Sequence, residues 1–284
     1  MKPRVLSIVL GVMVALGSSA ADSQPGTVQS REAATAIRSA DGAEMVLVPA
    51  GEFWMGTNTS EMAFERLRHR VYLDAYYVDK FEVTNELYRK CVRAGTCKEP
   101  EWNKPGNPHD PADVYKKIHG STLMASDHPV VGVPWTAAAA YCQWAGKRLP
   151  TEAEWEKAAR GTDERDYPWG NQFESSRTNW GASGPDKLVA VGTYPAGVSP
   201  YGVHDMAGNV YEWVADWFGR YDHFQRVSPG RNPQGLPLGR EKVVRGGPFQ
   251  LPVSPFLPRS THRVPWEPDR ASPWIGFRCA KGAP

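Results

Sequence analysis

The stretch that decides the fold of this chain reads Tyr141-Cys142-Gln143-Trp144-Ala145-Gly146-Lys147-Arg148-Leu149-Pro150-Thr151-Glu152-Ala153-Glu154-Trp155-Glu156. Its first half is the end of a helix that Thr136 can cap and that Gly146 stops. In its second half Thr151 and Glu154 form a capping box, which predicts a further helix to about residue 160. The stretch therefore predicts two short helices joined by a tight connection.

Short elements are predicted on the N-terminal side of this stretch. Residues 45–49 and 51–56 are typical of two strands around a turn, and the β-branched and aromatic run 71–79 predicts another strand. Thr84 can cap a helix over residues 85–93. These elements indicate a mixture of helix and sheet in short pieces.

The composition predicts a fold that is rich in loops. The chain has 284 residues, with 27 Gly and 25 Pro that interrupt long elements, and 11 Trp that can supply core area. Residues 162–245 are accordingly predicted to be mostly loops, ordered by their aromatic residues. The net charge of +2, with scattered basic residues, gives no sign of a nucleic-acid-binding surface.

The N-terminus is typical of an exported protein. Residues 1–21 combine a basic start, an apolar run of about a dozen residues and a small-residue end, which predicts a cleaved signal peptide. A membrane anchor is the alternative, although a spanning helix needs about 20 apolar residues. We expect residues 22–41 to form a mobile leader and 42–284 a single domain.

The four cysteines are expected to form disulfides after export. Three connectivities are possible in principle. Cys91 and Cys97 enclose a loop short enough for a local bridge, which leaves Cys142 with Cys279. That second bridge would close more than a hundred residues and constrain the unfolded chain by ~4–5 kcal/mol.

Two further blocks, Gly208-Asn209-Val210-Tyr211-Glu212-Trp213 and Gly276-Phe277-Arg278-Cys279, follow the first in this order. Together the three blocks resemble the formylglycine-generating enzyme family, also called the sulfatase-modifying-factor domain. The resemblance covers about residues 43–281. It implies an α+β fold, a variant of the C-type-lectin-like architecture with little regular secondary structure and many loops. It also supports the pairing of Cys142 with Cys279.

One family feature is missing from the sequence. The oxidising members carry a reactive, copper-binding cysteine pair after an Arg-Gly-Gly turn, and Arg245-Gly246-Gly247 has that position here. The matching residues are about Leu251 and Phe256, and neither can bind Cu(I) as a thiolate. A second family disulfide is also missing, because Ala159 and Ser260 replace its cysteines. We therefore expect no copper and no formylglycine formation.

The resemblance implies two structural calcium sites. Calcium prefers several hard oxygen ligands from carboxylates and carbonyls. One set of matching ligands comprises Asp205, Gly208, Val210 and Glu212. A second set comprises Asn179, Trp180, Asp186 and Leu188. The alternative for the first set is a plain turn followed by a surface carboxylate. Zinc and nucleotide cofactors are not expected, because their ligand spacings and glycine-rich loops are missing.

The stretch 259–277 matches a wall of the family's active cleft. Glu267, between Trp266 and Pro268, is predicted to be partly desolvated and to act as a general base. Arg263 and His262 are predicted to orient the ligand. Stacking and polar contacts to a flat heteroaromatic ligand are assigned to Trp266, Trp274, Arg259 and Arg278. The alternative is that Arg263 and Arg278 only pair with Glu267 and Asp269.

Exported relatives without the cysteine pair act in siderophore maturation. The resemblance thus implies a periplasmic oxidoreductase that converts the dihydropyoverdine chromophore of a ferribactin-derived peptide precursor into the mature fluorophore. A non-catalytic periplasmic module that binds or recruits a partner is the alternative, because one fold hosts many functions. A sensory domain of a kinase or receptor is disfavoured, since no second domain is evident. No nucleic-acid partner and no membrane attachment of the mature form are expected.

Overall fold

The computed structural model describes residues 36–101, 117–181, 184–221, 230–249 and 258–284. The principal helices are α1 (Asn85–Arg93), α2 (Trp135–Trp144) and α3 (Glu152–Arg160). Short 3₁₀ turns include Ala63–Glu65 and Gly120–Met124. No helix in these ranges is both long and apolar enough to cross a bilayer.

The strands form two four-stranded sheets and a hairpin. The first sheet has the order β1-β2-β5-β10, and β3 pairs with β4 in the hairpin. The second sheet has the order β8-β7-β6-β9. The bounds are β1 Ile37–Arg38, β2 Glu44–Val48, β3 Gly51–Met55, β4 His69–Leu73, β5 Tyr76–Asp79, β6 Tyr211–Trp217, β7 Lys242–Gly246, β8 Arg263–Trp266, β9 Ile275–Phe277 and β10 Ala280–Gly282.

Strand β6 is central to the second sheet. It pairs antiparallel with β7 and parallel with β9, so Tyr211 lies opposite Gly246 on one side and Ile275 on the other. Strand β8 pairs with the far edge of β7, where Arg263 lies opposite Arg245. The sheet therefore brings the family-like blocks at residues 208–213 and 276–279 side by side.

Helix α3 is buried along its whole length, including its charged residues. Its apolar residues pack in a core with β2–β5, and Trp155 is fully buried. Buried charges need partners. Glu156 accepts from Gly56 N at 2.7 Å and from Arg245 Nη2 at 2.7 Å. Lys157 donates to the backbone carbonyls of Pro49, before β3, and of Gly51, the first residue of β3. The helix is thus anchored by polar bonds as well as by packing.

The structure confirms the locally encoded helices and corrects other elements. Thr151 and Glu154 form both bonds of the capping box, and the Thr84 hydroxyl accepts from Leu87 N. Thr136, in contrast, lies inside α2, whose N-cap is Pro134. The strand predicted over 71–79 is two strands separated at Asp74, and β2 and β3 belong to different sheets.

The prediction of loops over residues 162–245 missed β6 and most of β7. Five of the seven residues of β6 are buried and none is exposed, so the strand lacks the alternation that marks a half-exposed strand.

The leader prediction fails at its C-terminal end. Ile37 and Arg38 pair with β2, and the buried Asp41 accepts from Lys147 Nζ at 2.7 Å. The expected signal peptide, residues 1–21, lies outside the described residues.

Both expected disulfides are present. Cys91 is bonded to Cys97 and Cys142 to Cys279, with Cα–Cα distances of 5.3 and 5.6 Å. The second bridge links α2 to the turn between β9 and β10 across 137 residues. Because the chain has only these four cysteines, it has no free thiol. Two disulfides fit an exported protein.

Candidate functional site

The predicted site residue His262 lies in a buried chain of three side chains. Its Nδ1 is 3.1 Å from Glu65 Oε1, and its Nε2 is 3.3 Å from the Tyr211 hydroxyl. Glu65 ends a 3₁₀ turn, Tyr211 begins β6, and His262 immediately precedes β8. The fold thus joins a carboxylate, an imidazole and a phenol, which we call the Glu65–His262–Tyr211 relay.

The protonation state of Glu65 determines which atoms of the relay donate hydrogen bonds and which accept them. Burial opposes ionisation, but the hydrogen bond from His262 and the charge of Arg259 outweigh it, so the pKa of Glu65 lies below its ordinary value. An ionised carboxylate only accepts hydrogen bonds. Nδ1 of His262 is therefore the donor to Glu65, and in the tautomer protonated only at Nδ1 the Nε2 atom can accept the Tyr211 hydroxyl proton.

Tyr211 is the outer member of the relay. Its side chain is 7% exposed, compared with 2% for His262 and 0% for Glu65. Burial raises the pKa of the Tyr211 phenol above its ordinary value, so the hydroxyl stays protonated at neutral pH. A base held by a buried third group is the arrangement that activates a hydroxyl in many enzymes. The relay can accept a proton through Tyr211.

Arg259 holds the inner end of the relay. Its Nη2 donates to Glu65 Oε2 and to Ser60 Oγ, both at 2.9 Å. The Thr261 hydroxyl lies 3.3 Å from the same Glu65 oxygen. The sequence predicted that Arg259 contacts the substrate, whereas the structure places its guanidinium on Glu65. Its observed role is to position the carboxylate.

Glu267 does not have the environment that the sequence predicted. Its side chain is exposed, and its carbonyl accepts from Arg270 N in a turn just after β8. The neighbouring Trp266 is half-buried and donates from Nε1 to Arg270 O. The expectation of a desolvated carboxyl was wrong, because Glu267 lies in an exposed turn just after β8. A general base is better placed at the relay.

Arg263 and Arg278 are structural in this fold. Arg263 forms two hydrogen bonds of 2.6 Å with Glu152, and Arg278 forms two of 2.7 Å with Glu212. All four side chains are buried. Pairing of these arginines was the alternative reading, but with Glu267 and Asp269 as partners. The real partners lie far away in sequence, and neither guanidinium is left to orient or bind a ligand.

Trp274 belongs to a separate apolar cluster beside the relay. It is half-buried and packs with Phe249, Leu188 and Val210. Its carbonyl accepts from Tyr211 N at 2.8 Å, which ties this cluster to the outer end of the relay. Trp274 therefore lies next to the relay, and its contact with a ligand stays a prediction.

The segment predicted to bind calcium through Asp205, Gly208, Val210 and Glu212 is buried. Both oxygens of Glu212 bond to Arg278, and Oε2 also accepts from Trp155 Nε1 at 2.9 Å. Asp205 Oδ2 accepts from Gly192 N at 2.7 Å. Glu212 is thus neutralised by an arginine, which does not fit the role of a cation ligand. Among the described residues, no three acidic, His or Cys side chains are grouped to hold a metal.

The second predicted calcium segment fits better. Asn179 is buried, and its Oδ1 has no hydrogen-bond partner in the described structure. A Cβ on Gly184 would lie only 2.4 Å from that oxygen, so the backbone at Gly184 passes close to it. Trp180 and Leu188 are buried and Asp186 is exposed. Asn179 Oδ1, with the Trp180 and Leu188 carbonyls and the Asp186 carboxylate, is a hard-oxygen donor set of the kind that calcium prefers.

Comparisons with known proteins agree with this architecture. The model of the sulfatase-modifying factor enzyme 1-like domain matches residues 29–283. The chain belongs to the sulfatase-modifying factor family. It is 32% identical to the formylglycine-generating enzyme of Bos taurus, with 84% of this chain and 74% of that protein covered.

Two other family likenesses differ in how much they cover. The chain is 35% identical to the serine/threonine-protein kinase pkn1 of Chlamydia caviae over 84% of its own length, but it spans only 38% of that kinase. The structure of PvdO from Pseudomonas aeruginosa matches with a TM-score of 0.71 and 25% identity, covering 89% of this chain and 100% of the other. The match to PvdO therefore extends over the full length of the PvdO chain, whereas the match to the kinase does not cover most of the kinase.

The cysteines of this chain bear on the copper chemistry that the family resemblance raised. Leu251 and Phe256, which match the copper-binding pair, lie outside the described residues, but their identities alone exclude thiolates. All four cysteines of the chain are disulfide-bonded. No cysteine is therefore available to bind copper or to react.

Sequence reasoning missed two members of the relay. Tyr211 lies in the quoted family block 208–213, and this position was the available signal that its phenol could belong to the site. Glu65 is 197 positions from His262 and carries no local signal. Only the fold brings these residues together.

Proposed function

We propose that this protein is an exported oxidoreductase of the family that oxidises the dihydropyoverdine chromophore of a ferribactin-derived siderophore precursor in the periplasm. The likeness to PvdO over the full length of that chain supports this reading. The lack of any free thiol supports an oxidation that differs from the family's copper chemistry. The observation that carries the proposal is the Glu65–His262–Tyr211 relay, since it supplies a proton acceptor without a cofactor.

The proposed reaction is a dehydrogenation with dioxygen as the acceptor. The dihydro ring loses two electrons and two protons, and a catechol-like ring is activated enough to give its electrons to dioxygen. Tyr211 takes a proton from the ring while passing its own to His262 Nε2, and Glu65 stabilises the resulting imidazolium. Dioxygen takes up both electrons and finally both protons, which yields hydrogen peroxide.

The test follows chromophore absorbance and oxygen uptake with purified protein, calcium and dihydropyoverdine in air. Tyr211→Phe keeps the ring but removes the hydroxyl, and we expect turnover to fall by about 10²-fold or more. Glu267→Gln is the matched control and should keep full turnover. If Glu267→Gln loses activity and Tyr211→Phe does not, Glu267 and not the relay is the general base.

A non-catalytic binding module is the second candidate, because His262 and Glu65 are almost fully buried and could serve structure alone. It predicts saturable binding of dihydropyoverdine with no conversion above the spontaneous rate. In that case the conversion rate would be the same with Tyr211→Phe as with wild type, and both would equal the spontaneous rate. Oxygen uptake that depends on the protein would exclude it.

A further inference from the structure

A second buried histidine packs against the apolar cluster beside the relay. His119 is 2% exposed, and its Nε2 is 2.7 Å from the Pro273 carbonyl oxygen. A carbonyl can only accept, so Nε2 carries the proton and Nδ1 is left with a lone pair. Nδ1 is buried and has no hydrogen-bond partner among the residues that the structure describes.

The surroundings of His119 keep its ring neutral. Burial lowers the pKa of His119 to about 4, which the bond to Pro273 opposes only in part. At neutral pH the ring therefore cannot bind an anion by charge. It offers one acceptor atom, fixed in direction by the bond on the opposite side of the ring.

His119 is close to the other elements of the proposed site. Its ring centroid is 5.6 Å from that of Phe249, which follows the Arg245-Gly246-Gly247 turn. Pro273 directly precedes Trp274, whose carbonyl accepts from Tyr211 N. The His119 ring thus packs against Phe249, a member of the apolar cluster against which Trp274 also packs.

We propose that His119 Nδ1 recognises the ligand by accepting a hydrogen bond from an N–H or O–H group on a flat heteroaromatic ring. The inference rests on the proposed function, because it places that ring against Phe249 and Trp274. A buried acceptor without a partner favours a ligand that supplies a donor over one that does not. His119 would therefore discriminate hydroxylated rings from plain ones.

The test compares two ligands and two variants in fluorescence titrations without oxygen. The ligands are dihydroxyquinoline and quinoline, which differ in the two hydroxyl groups that can donate a hydrogen bond. His119→Gln can keep a donor to Pro273 but loses the acceptor at Nδ1, whereas His119→Asn keeps an acceptor near that position. We expect His119→Gln to weaken dihydroxyquinoline binding about tenfold and to leave quinoline binding within about twofold. His119→Asn should recover most of the difference.

A spectroscopic readout separates recognition from a structural role. In protein labelled with ¹⁵N-histidine, the His119 Nδ1 resonance should move toward the hydrogen-bonded position with dihydroxyquinoline and stay in place with quinoline. If wild type oxidises dihydropyoverdine but His119→Gln binds dihydroxyquinoline as tightly as wild type, only the assignment of His119 fails. If wild type binds neither ring and shows no turnover, the proposed function fails with it.

Discussion

Glu152 and Arg263 are joined inside the protein by two hydrogen bonds of 2.6 Å, from Nε to Oε1 and from Nη2 to Oε2. Glu152 begins α3 and Arg263 begins β8. Arg263 also donates from Nη1 to Gly219 O at 2.7 Å. One guanidinium thus holds together a helix, a sheet edge and the loop after β6.

Breaking this pair should destabilise the fold strongly. Arg263→Met leaves the Glu152 carboxylate buried without its main partner, and removing one member of a buried pair costs about 3–5 kcal/mol. Urea unfolding followed by tryptophan fluorescence measures the loss. Arg270→Met, at an exposed position, is the control and should change stability by about 0.5 kcal/mol or less. A similar small effect at position 263 would contradict the structural role assigned to Arg263.

Asp216 should make stability depend on pH. Burial, and then the nearby Glu152, raise the pKa of Asp216 from 3.8 to about 7. The folded state therefore keeps a proton that the unfolded chain has lost, and this contribution disappears as the pH rises from about 4 through 7. Asp216→Asn stays neutral, so it should gain stability over wild type by up to about 1.4 kcal/mol per pH unit across this window.

The measurement is a set of urea unfolding curves from pH 4.5 to 8 for wild type and Asp216→Asn. Asp269→Asn, which removes an exposed carboxylate, shows the general effect of the charge change. Curves for Asp216→Asn and wild type that stay parallel across the range would rule out a raised pKa at this position.

The two disulfides should differ in their contribution to stability. The loop-entropy model gives ~5 kcal/mol for the bridge Cys142–Cys279 and ~2 kcal/mol for Cys91–Cys97, because the closed loops differ greatly in length. Paired Cys→Ala variants of each bridge, unfolded under identical conditions, test the order. Equal losses, or a larger loss for the local bridge, would mean that local packing and not chain entropy dominates.

Calcium is expected to stabilise the loop from Asn179 to Leu188, and we propose this loop as the structural ion site. A ligand that binds only the folded state at 100 times its Kd adds about 2.7 kcal/mol. Calcium should therefore raise the Tm of wild type after treatment with a chelator. Asn179→Ala should lose this response and Asp205→Asn should keep it. If Asn179→Ala keeps the calcium response and Asp205→Asn loses it, the ion binds at residues 205–212 instead.

The helices could be predicted from sequence because their signals are local. Thr151 and Glu154 are three residues apart, and their capping box depends on little else. Strand β6 escaped prediction because both of its faces are covered by the core. The split between β4 and β5 at Asp74 likewise depends on contacts with Arg231 and Asn232, far away in the chain.

The site was predictable only in part. His262 was singled out from its sequence neighbours, but its partners Glu65 and Tyr211 lie 197 and 51 positions away. Glu267 was misjudged because adjacent Trp and Pro residues do not determine whether a carboxyl is buried. Burial depends on how the turn after β8 packs against the rest of the fold, and the local sequence does not contain that information.

The complete pairing of the cysteines bears on how long such an enzyme would survive its own reaction. Hydrogen peroxide converts exposed thiolates stepwise into sulfenic and then irreversible acids. An oxidase that relies on a thiol is therefore open to inactivation by its product. In this protein all cysteine sulfur is already locked in disulfides, so peroxide released at the relay would find no thiol to damage.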